Sequence, residues 1–473
     1  MNGRRAVPLL LCGVLVAGCT VGPDYRRPAL EVPAAYRLDA KDSATVAGTA
    51  WWKGFGDSAL DALIDEALRN NRDVRLAAAR VDEYEARLAG ARAPGLPAVG
   101  YSADSGRQQA TRVGPRPLPP GTPATANSTT VGLSASWELD LWGRIRRSTE
   151  AARADLLATR ESRRGVVLTL VSEVARGYVQ LRNLDAQLAI TRRTLDLRAA
   201  GVRLFEQRFA GGVISEVELD QVRAEYESAA ARVPDLEQAI AQQENALSVL
   251  AGRNPGPIPR GVPLRDLMPP AVPGGLPSAL LEQRPDLRKA EQDLVAANAR
   301  VGAARARFFP TISLTGSLGT SSAALSDLFS GPAGVWNVAA GAAGPIFDGG
   351  LVRSNVRQAE AQRQQLLLTY EKAVQQAFRE VDDALVAREK TGERALAQAR
   401  QLAALGRYAE LARLRYEGGY TSYLEVLDAE RGLFSAELSV VQTRADVFGA
   451  LVALYKALGG SWIAAAETAA DAP

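Results

Sequence analysis

The chain repeats itself, and that limits its fold more than any other feature. Arg208-Phe-Ala-Gly-Gly-Val-Ile-Ser215 returns as Arg415-Tyr-Glu-Gly-Gly-Tyr-Thr-Ser422, 207 residues later. The same displacement carries Glu173-Val174 onto Glu380-Val381, and Leu247 and Gly252 onto Leu454 and Gly459. Nearer the N-terminus it becomes 213, so that Asp73, Arg75, Arg92 and Pro97 fall on Asp286, Arg288, Arg305 and Pro310. The slip lies between Pro97 and Trp137, where the first copy has a loop rich in Pro, Gly and Thr from Asp104 to Ser128. A period of about 200 residues is far too long for a solenoid. The chain reads as a duplicated half: an N-terminal segment 19–69, repeat 1 over 70–255, a Pro/Gly linker 256–282, repeat 2 over 283–462 and a tail 463–473.

Each repeat ends in a heptad seam. In the first it runs Leu219, Val222, Tyr226, Ala229, Val233, Leu236, Ile240, Gln243, Leu247, Leu250, in alternating steps of three and four. The second is Val426, Ala429, Leu433, Ala436, Val440, Thr443, Val447, Ala450, Leu454, Ala457. Seams of this length indicate coiled-coil packing. Pro234 interrupts the first and predicts a kink. Helical stretches at roughly 143–208 and 350–415 precede the seams, each reaching on the order of 100 Å. Gly211-Gly212 and Gly418-Gly419 therefore read as the tips of two long helical hairpins, with the following Ser215 and Ser422 available as helix caps.

Between the helices lie segments of strand period. Val131, Leu133, Ala135 and Trp137 alternate with Gly132, Ser134, Ser136 and Glu138; Ile312, Leu314 and Leu318 alternate with Ser313, Thr315, Ser317 and Gly319. Val99, Tyr101 and Ala103 follow more weakly, and Trp336 to Ile346 most weakly. Four strands of about ten residues match the length that crosses an outer membrane. A soluble four-stranded sheet is the alternative, but its small polar face would bury nothing, whereas it suits a wet lumen. Four strands leave two open edges, which lipid does not tolerate, and a closed barrel needs about eight. Transmembrane strands thus require several chains to share one barrel. No helix has an uninterrupted apolar run of 18 residues, so the helices project into water.

Composition removes other classes. There is no His, and the only Cys residues are Cys12 and Cys19. A His-dependent triad, a His or Cys metal site and a disulfide framework are excluded. The formal charge of +3 comes from no basic stripe, which argues against nucleic acid. With no His and 2 Met, a soft-metal relay has few donors. At the N-terminus, Arg4-Arg5 precede an apolar run from Ala6 to Gly18 that ends in Val16-Ala17-Gly18-Cys19. Residues 1–18 read as a secretory signal too short to span a bilayer. Small residues before Cys19 resemble a bacterial lipobox, with Cys19 acylated as the mature N-terminus; an ordinary signal peptide with an incidental Cys is the alternative. Thr20 stands where such lipoproteins usually carry Asp for inner-membrane retention, which favours the outer membrane.

The sequence resembles the TolC-like outer-membrane efflux proteins, in particular the lipoprotein branch serving resistance-nodulation-division pumps. The resemblance rests on Cys19-Thr-Val-Gly-Pro-Asp-Tyr25, Trp51-Trp52, Phe55, Asp57, Leu60, Trp137-Glu-Leu-Asp-Leu-Trp-Gly-Arg144, Arg284-Pro-Asp286, Phe309-Pro310, Pro345-Ile-Phe-Asp348 and Tyr423-Leu-Glu-Val-Leu-Asp-Ala-Glu-Arg431. It implies an α+β membrane protein: a homotrimer with a 12-stranded outer-membrane β-barrel, four strands per chain, continued by a periplasmic α-helical coiled-coil tunnel. It implies a passive duct, with no catalysis and no cofactor beyond the lipid on Cys19. The partners implied are a periplasmic adaptor, an inner-membrane efflux pump and outer-membrane lipid. The cargo implied is drugs or other small toxic molecules.

By the same resemblance, Leu424, Glu425 and Asp428 match the ring that narrows the periplasmic end, and Tyr416 matches a residue that holds it shut. The family's neighbouring gate Arg is replaced here by Thr421. Copy one carries Gln221 at the position of Asp428, so the acidic ring belongs to one hairpin. Equally, Glu425 and Asp428 are simply acids favoured near a helix N-terminus. The tips Gly211, Gly212, Ser215, Gly418, Gly419 and Ser422 match the adaptor-docking end. Trp51 and Trp52 are expected to pack on the tunnel. A periplasmic adaptor or a structural coiled-coil lipoprotein remains the rival, though an adaptor would carry one hairpin; a periplasmic enzyme using paired carboxylates lacks a pocket pattern.

Overall fold

The computed structural model describes residues 20–38, 50–115, 118–270, 277–460 and 462–463. Cys19, residues 271–276 of the linker and most of the 463–473 tail lie outside the described residues. Two compact units emerge, one comprising Met1–Ala29, Val81–Thr159 and Ala290–Tyr370, the other Leu30–Arg80, Arg160–Lys289 and Glu371–Pro473. Each draws on both repeats.

After a 3₁₀ turn at Trp51–Phe55 come α1 (Ser58–Asn70), α2 (Arg72–Arg92), strands β1 (Ala98–Gln109) and β2 (Thr125–Leu139), and helices α3 (Arg144–Ala210) and α4 (Glu216–Leu250). The second half gives α5 (Pro277–Gln283), α6 (Pro285–Ala306), β3 (Thr311–Ser322), β4 (Gly334–Ala343), α7 (Leu351–Glu417) and α8 (Tyr423–Ala457). Moved by 207 residues, the bounds of α3 become those of α7 and the bounds of α4 become those of α8. Both seams keep their register: every seam residue is buried or half-buried. Pro234 sits inside α4, which runs on through it.

The long helices differ in how much they bury. On α4 the buried residues are seam residues apart from Ser248, whereas α8 also buries Leu427, Leu438, Ala445, Phe448, Leu451, Val452 and Tyr455. That makes α8 apolar enough by length and composition to cross a membrane, with an 18-residue window of mean hydropathy 1.2. Its charged side chains have protein partners: Arg444 Nε donates to the Leu264 carbonyl at 3.0 Å, and Glu437 pairs with Arg193 at 2.6 Å. Packing within the chain covers 39% of that apolar window.

The core of the second unit gathers Trp51, Trp52 and Phe55 with α1, the middle of α3 and the C-terminal half of α8. Trp51 stacks on Tyr455 at 4.7 Å and Trp52 meets Trp462 edge-on at 5.2 Å. These tryptophans pack on helices, as expected, rather than forming a belt. Asp57 caps α1 through the N–H of Ala59 at 2.9 Å; its other oxygen accepts from Tyr178 Oη at 2.9 Å and from the N–H of Val262 at 3.1 Å. One buried carboxylate thus ties the N-terminal segment to α3 and the linker, where Ile258, Leu264 and Leu267 are also buried.

In the first unit the strands form one antiparallel sheet ordered β1-β2-β3-β4. The strands outrun their hydrophobic pattern: Asp104 to Gln109 pairs with Thr125 to Thr130, inside the stretch expected to be loop. Ladder hydrogen bonds need backbone, not apolar side chains. Gly132 and Gly319 face each other across β2 and β3. A Cβ on Gly319 would lie 2.3 Å from the Val131 carbonyl oxygen, whereas on Gly316 the nearest atom is 3.6 Å away. Gly319→Ala should therefore force the strands apart, costing about 2 kcal/mol or more and lowering the thermal midpoint of the sheet by on the order of 5 °C. Gly316→Ala should leave it unchanged. Circular dichroism melts of both variants check this; equal midpoints would contradict the packing described.

Candidate functional site

Register decides which side chains share a face of the sheet, because directly opposed residues point the same way. The ladder aligns Tyr101, Leu133, Leu318 and Trp336 in one row, and Val99, Ala135, Gly316 and Val338 in the next. Trp137 and Leu314 extend the same face. The opposite face carries Ser102, Gly132, Gly319 and Val335, and Ser134 with Ser317 and Asn337. The apolar face is uncovered by its own chain: Tyr101 is 88% and Trp336 77% exposed. A broad apolar face left open marks contact with lipid or a partner. One apolar and one small, polar face suit lipid outside and water inside.

The motif residues explain how this sheet is anchored to helices. Trp142 stacks on Phe309 at 4.7 Å and its Nε1 donates to the Pro310 carbonyl at 2.8 Å. Asp140 caps α3 by accepting from the N–H groups of Ile145 and Arg146 at 3.0 and 2.8 Å, while Glu138 pairs with Arg144. The segment from Thr20 docks beside the foot of β2. Val21 N–H donates to the Trp142 carbonyl at 3.1 Å, Arg147 Nη2 bonds Asp24 at 2.7 Å, and Arg27 bonds Glu291.

The second unit carries the two hairpin tips. Gly212 and Gly419 both take positive φ, +70° and +74°, and the backbone bonds match one for one. Gly211, Gly212 and Val213 donate to Gln207, Phe209 and Arg208 as Gly418, Gly419 and Tyr420 donate to Leu414, Tyr416 and Arg415. These are left-handed glycine stops. The caps differ. Ser215 forms a capping box with Glu218, whereas Ser422 sits at its N-cap position without a side-chain hydrogen bond. The expected Ser422 cap is thus absent. Glu425, the counterpart of Glu218, instead accepts from Arg415 at 2.7 Å and from Thr421.

Leu424 and Asp428 share an exposed face of α8, while Val426, Leu427 and Ala429 turn inward. Asp428 has Arg431 3.6 Å away. Tyr416 is packed against Phe205, Leu219, Val222 and Leu427, and its hydroxyl accepts from Arg208 Nη1. Tyr423 completes the contact, 4.3 Å from Phe205 and 5.1 Å from Tyr416 between ring centres. The two tips are therefore held together by one aromatic cluster, the Arg208–Tyr416 hydrogen bond and the Arg431–Glu225 ion pair at 3.7 Å. Sequence reasoning missed Glu430, which lines two cavities of about 430 and 380 Å³ between the hairpins. Burial pushes its carboxyl up, offset by Arg413 and Arg198 and reinforced by Glu225. Burial and Glu430 together push Tyr423 up to about 12.

A sheet with one lipid-compatible face, a wet face and two free edges belongs to the class of membrane barrels assembled from several chains. The outer membrane efflux protein family matches residues 63–253 and 276–460. The chain is 39% identical to the cation efflux system protein CusC of Escherichia coli O6:H1, over 98% of this chain and all of that one. It is equally 39% identical to the solvent efflux pump outer membrane protein SrpC of Pseudomonas putida, over 95% and 97% of the two chains. The open-state MtrE outer membrane channel of Neisseria gonorrhoeae superposes with a TM-score of 0.84 at 35% identity, over 94% and 99%. The chain belongs to the outer membrane efflux protein family. Its fold is that of the family's trimeric channels, four strands per chain with long helices, and it is the outer-membrane channel component of an efflux system rather than an adaptor.

A raised carboxyl pKa means that protonation favours the packed state. The stabilisation is full at acid pH and is lost as pH rises through the range above the ordinary carboxylate value. Amide exchange over 423–430, corrected for intrinsic rates, should accelerate across that range and should lose the dependence in Glu430→Gln. A flat profile in the native protein would contradict the assignment.

Proposed function

We propose that the chain acts as a homotrimeric passive duct, passing drugs or other small toxic molecules from an inner-membrane pump and a periplasmic adaptor to the cell exterior. The carrying observation is the two-faced sheet with both edges open. Three such sheets give twelve strands, enough to close a barrel around a wet lumen. No residue of the chain takes a catalytic part. The few soft donors favour organic cargo over soft metal ions.

Cys19 carries the acyl anchor in this reading. The strapping of Val21 to Trp142, at the foot of β2, supports it, because an acyl chain on the preceding residues starts beside the strands. Leu424, Glu425 and Asp428 line the periplasmic constriction, with Asp428 contributing three carboxylates by symmetry. Tyr416, held by Arg208, keeps that hairpin closed against its neighbour. The tips at Gly211, Gly212, Ser215, Gly418, Gly419 and Ser422 meet the adaptor, where glycine permits close backbone approach. Opening then requires the Arg208 and Tyr416 contact to part.

Planar-bilayer recording tests this. The native protein should conduct with a preference for cations, because clustered carboxylates attract them. Asp428→Asn should lower the cation-to-anion permeability ratio by roughly twofold or more. Absence of any conductance would refute the duct, and an unchanged ratio would remove Asp428 from the constriction.

A further inference from the structure

Ladder parity sorts the charges of the sheet by face. Asp104 and Glu138 fall on the wet face with Ser102 and Ser134. Arg107, paired with Asn127, falls on the apolar face with Tyr101 and Leu133, and it is the only charged side chain the four strands place there. The apolar face gives way to it in steps. Beyond the row of Ala103, Val131 and Thr320 comes a row of hydroxyls, with Ser105 and Thr129 3.0 Å apart, and then Arg107 opposite Asn127. From Leu139, at the foot of this face, to Asn127 is about 40 Å along β2, or about 30 Å in height at a tilt of about 40°. The apolar band of an outer-membrane barrel is about 25 Å tall. Arg107 therefore stands just past the hydrocarbon, at headgroup depth, on the wall that faces lipid.

The charge around it is of one sign. From Ser105 to Trp137 the chain carries Arg107, Arg112 and Arg116 and no acidic residue. Arg107 and Arg112 are both exposed, and neither meets a carboxylate among the described residues. The β3–β4 hairpin, residues 311–343, has no Lys or Arg and one acid, Asp327. The basic charge thus belongs to one hairpin of a duplicated pair, so building a hairpin of this fold does not require it.

We propose that Arg107, with Arg112 and Asn127, binds the phosphate of a phosphorylated lipid headgroup in the outer leaflet, one site per chain. The planar guanidinium of Arg107 matches two phosphate oxygens at once, and the Asn127 amide supplies a further donor. The acyl chains of the same lipid lie below, along Tyr101 and Leu133. A charge on a lipid-facing wall is strongly unfavourable at the bilayer midplane and nearly neutral at headgroup level, which agrees with the position of Arg107 at the end of the face. The proposal rests on the shared barrel above and adds the class of lipid that its rim selects.

Lipid retention tests this. The full chain, purified in detergent and mixed with rough lipopolysaccharide, whose lipid A bears phosphate monoesters, is weighed intact by native mass spectrometry. It should retain up to three such lipids per trimer. Arg107→Gln with Arg112→Gln should lower the occupancy several-fold. Arg107→Lys, which keeps the charge and loses the fork, should fall between. Asp104→Asn, on the wet face, should leave it unchanged. In phosphatidylcholine vesicles, added lipopolysaccharide should raise the melting midpoint of the native trimer by several degrees, and inorganic phosphate should not. Equal retention by native protein and double variant, both still conducting, would overturn the site and leave the duct. Should the double variant fail to assemble, the native protein decides alone: equal midpoints with and without lipopolysaccharide would overturn the site. The same rise with inorganic phosphate would overturn the lipid as its occupant. Native protein that does not conduct before any lipid is added would overturn the barrel reading itself.

Discussion

The unpaired backbone at the two sheet edges governs the rest of this molecule. About half the residues of an edge strand point their N–H and C=O groups outward. For the 12-residue β1 that is about six of each, and for the 10-residue β4 about five. Left in hydrocarbon at about 2 kcal/mol or more per group, one edge costs on the order of 20 kcal/mol. That exceeds the whole folding stability of a typical domain. The apolar face nonetheless belongs in lipid. Only a sheet whose edges are covered by further strands satisfies both demands, and symmetry makes those strands the chain's own copies.

The duplication supplies most of the parts, and small departures from it supply the asymmetry. Helices α3 and α7 have identical lengths, as do α4 and α8, and their tips share one glycine turn. Yet Arg208 reaches the other hairpin through Tyr416, while its counterpart Arg415 stays at home on Glu425. The cross-hairpin pair Glu206–Arg223 recurs in copy two with its charges exchanged, as Arg413–Glu430. The first pair is solvated; in the second, Glu430 is drawn into the contact between hairpins. The two hairpins thus differ in what holds them: the second meets the first through an aromatic cluster and a few charges.

Much of this was legible in the sequence because it is periodic. The seams, the Gly-Gly tips and the alternating strands each follow a fixed spacing, and the seam positions are buried or half-buried throughout. What escaped was set by tertiary partners. Asp104 to Gln109 carries no apolar alternation but pairs because β2 continues opposite it. Asp57 reads as a simple helix cap until Tyr178 and Val262 arrive from elsewhere in the chain. Glu430 looks like any acid on a helix until the hairpins close around it. Ser422 makes no capping box because Arg415 and Thr421 hold the Glu425 carboxylate, and the Glu425 N–H donates to the Ser422 carbonyl instead.

The central claim is that the four-stranded sheet is one part of a barrel shared between chains. It is tested most directly by the protein mass of the detergent-extracted particle, measured by light scattering with the detergent contribution subtracted. Three chains per particle is the result this account predicts. A stable particle of one chain, with the strands still folded, would contradict it.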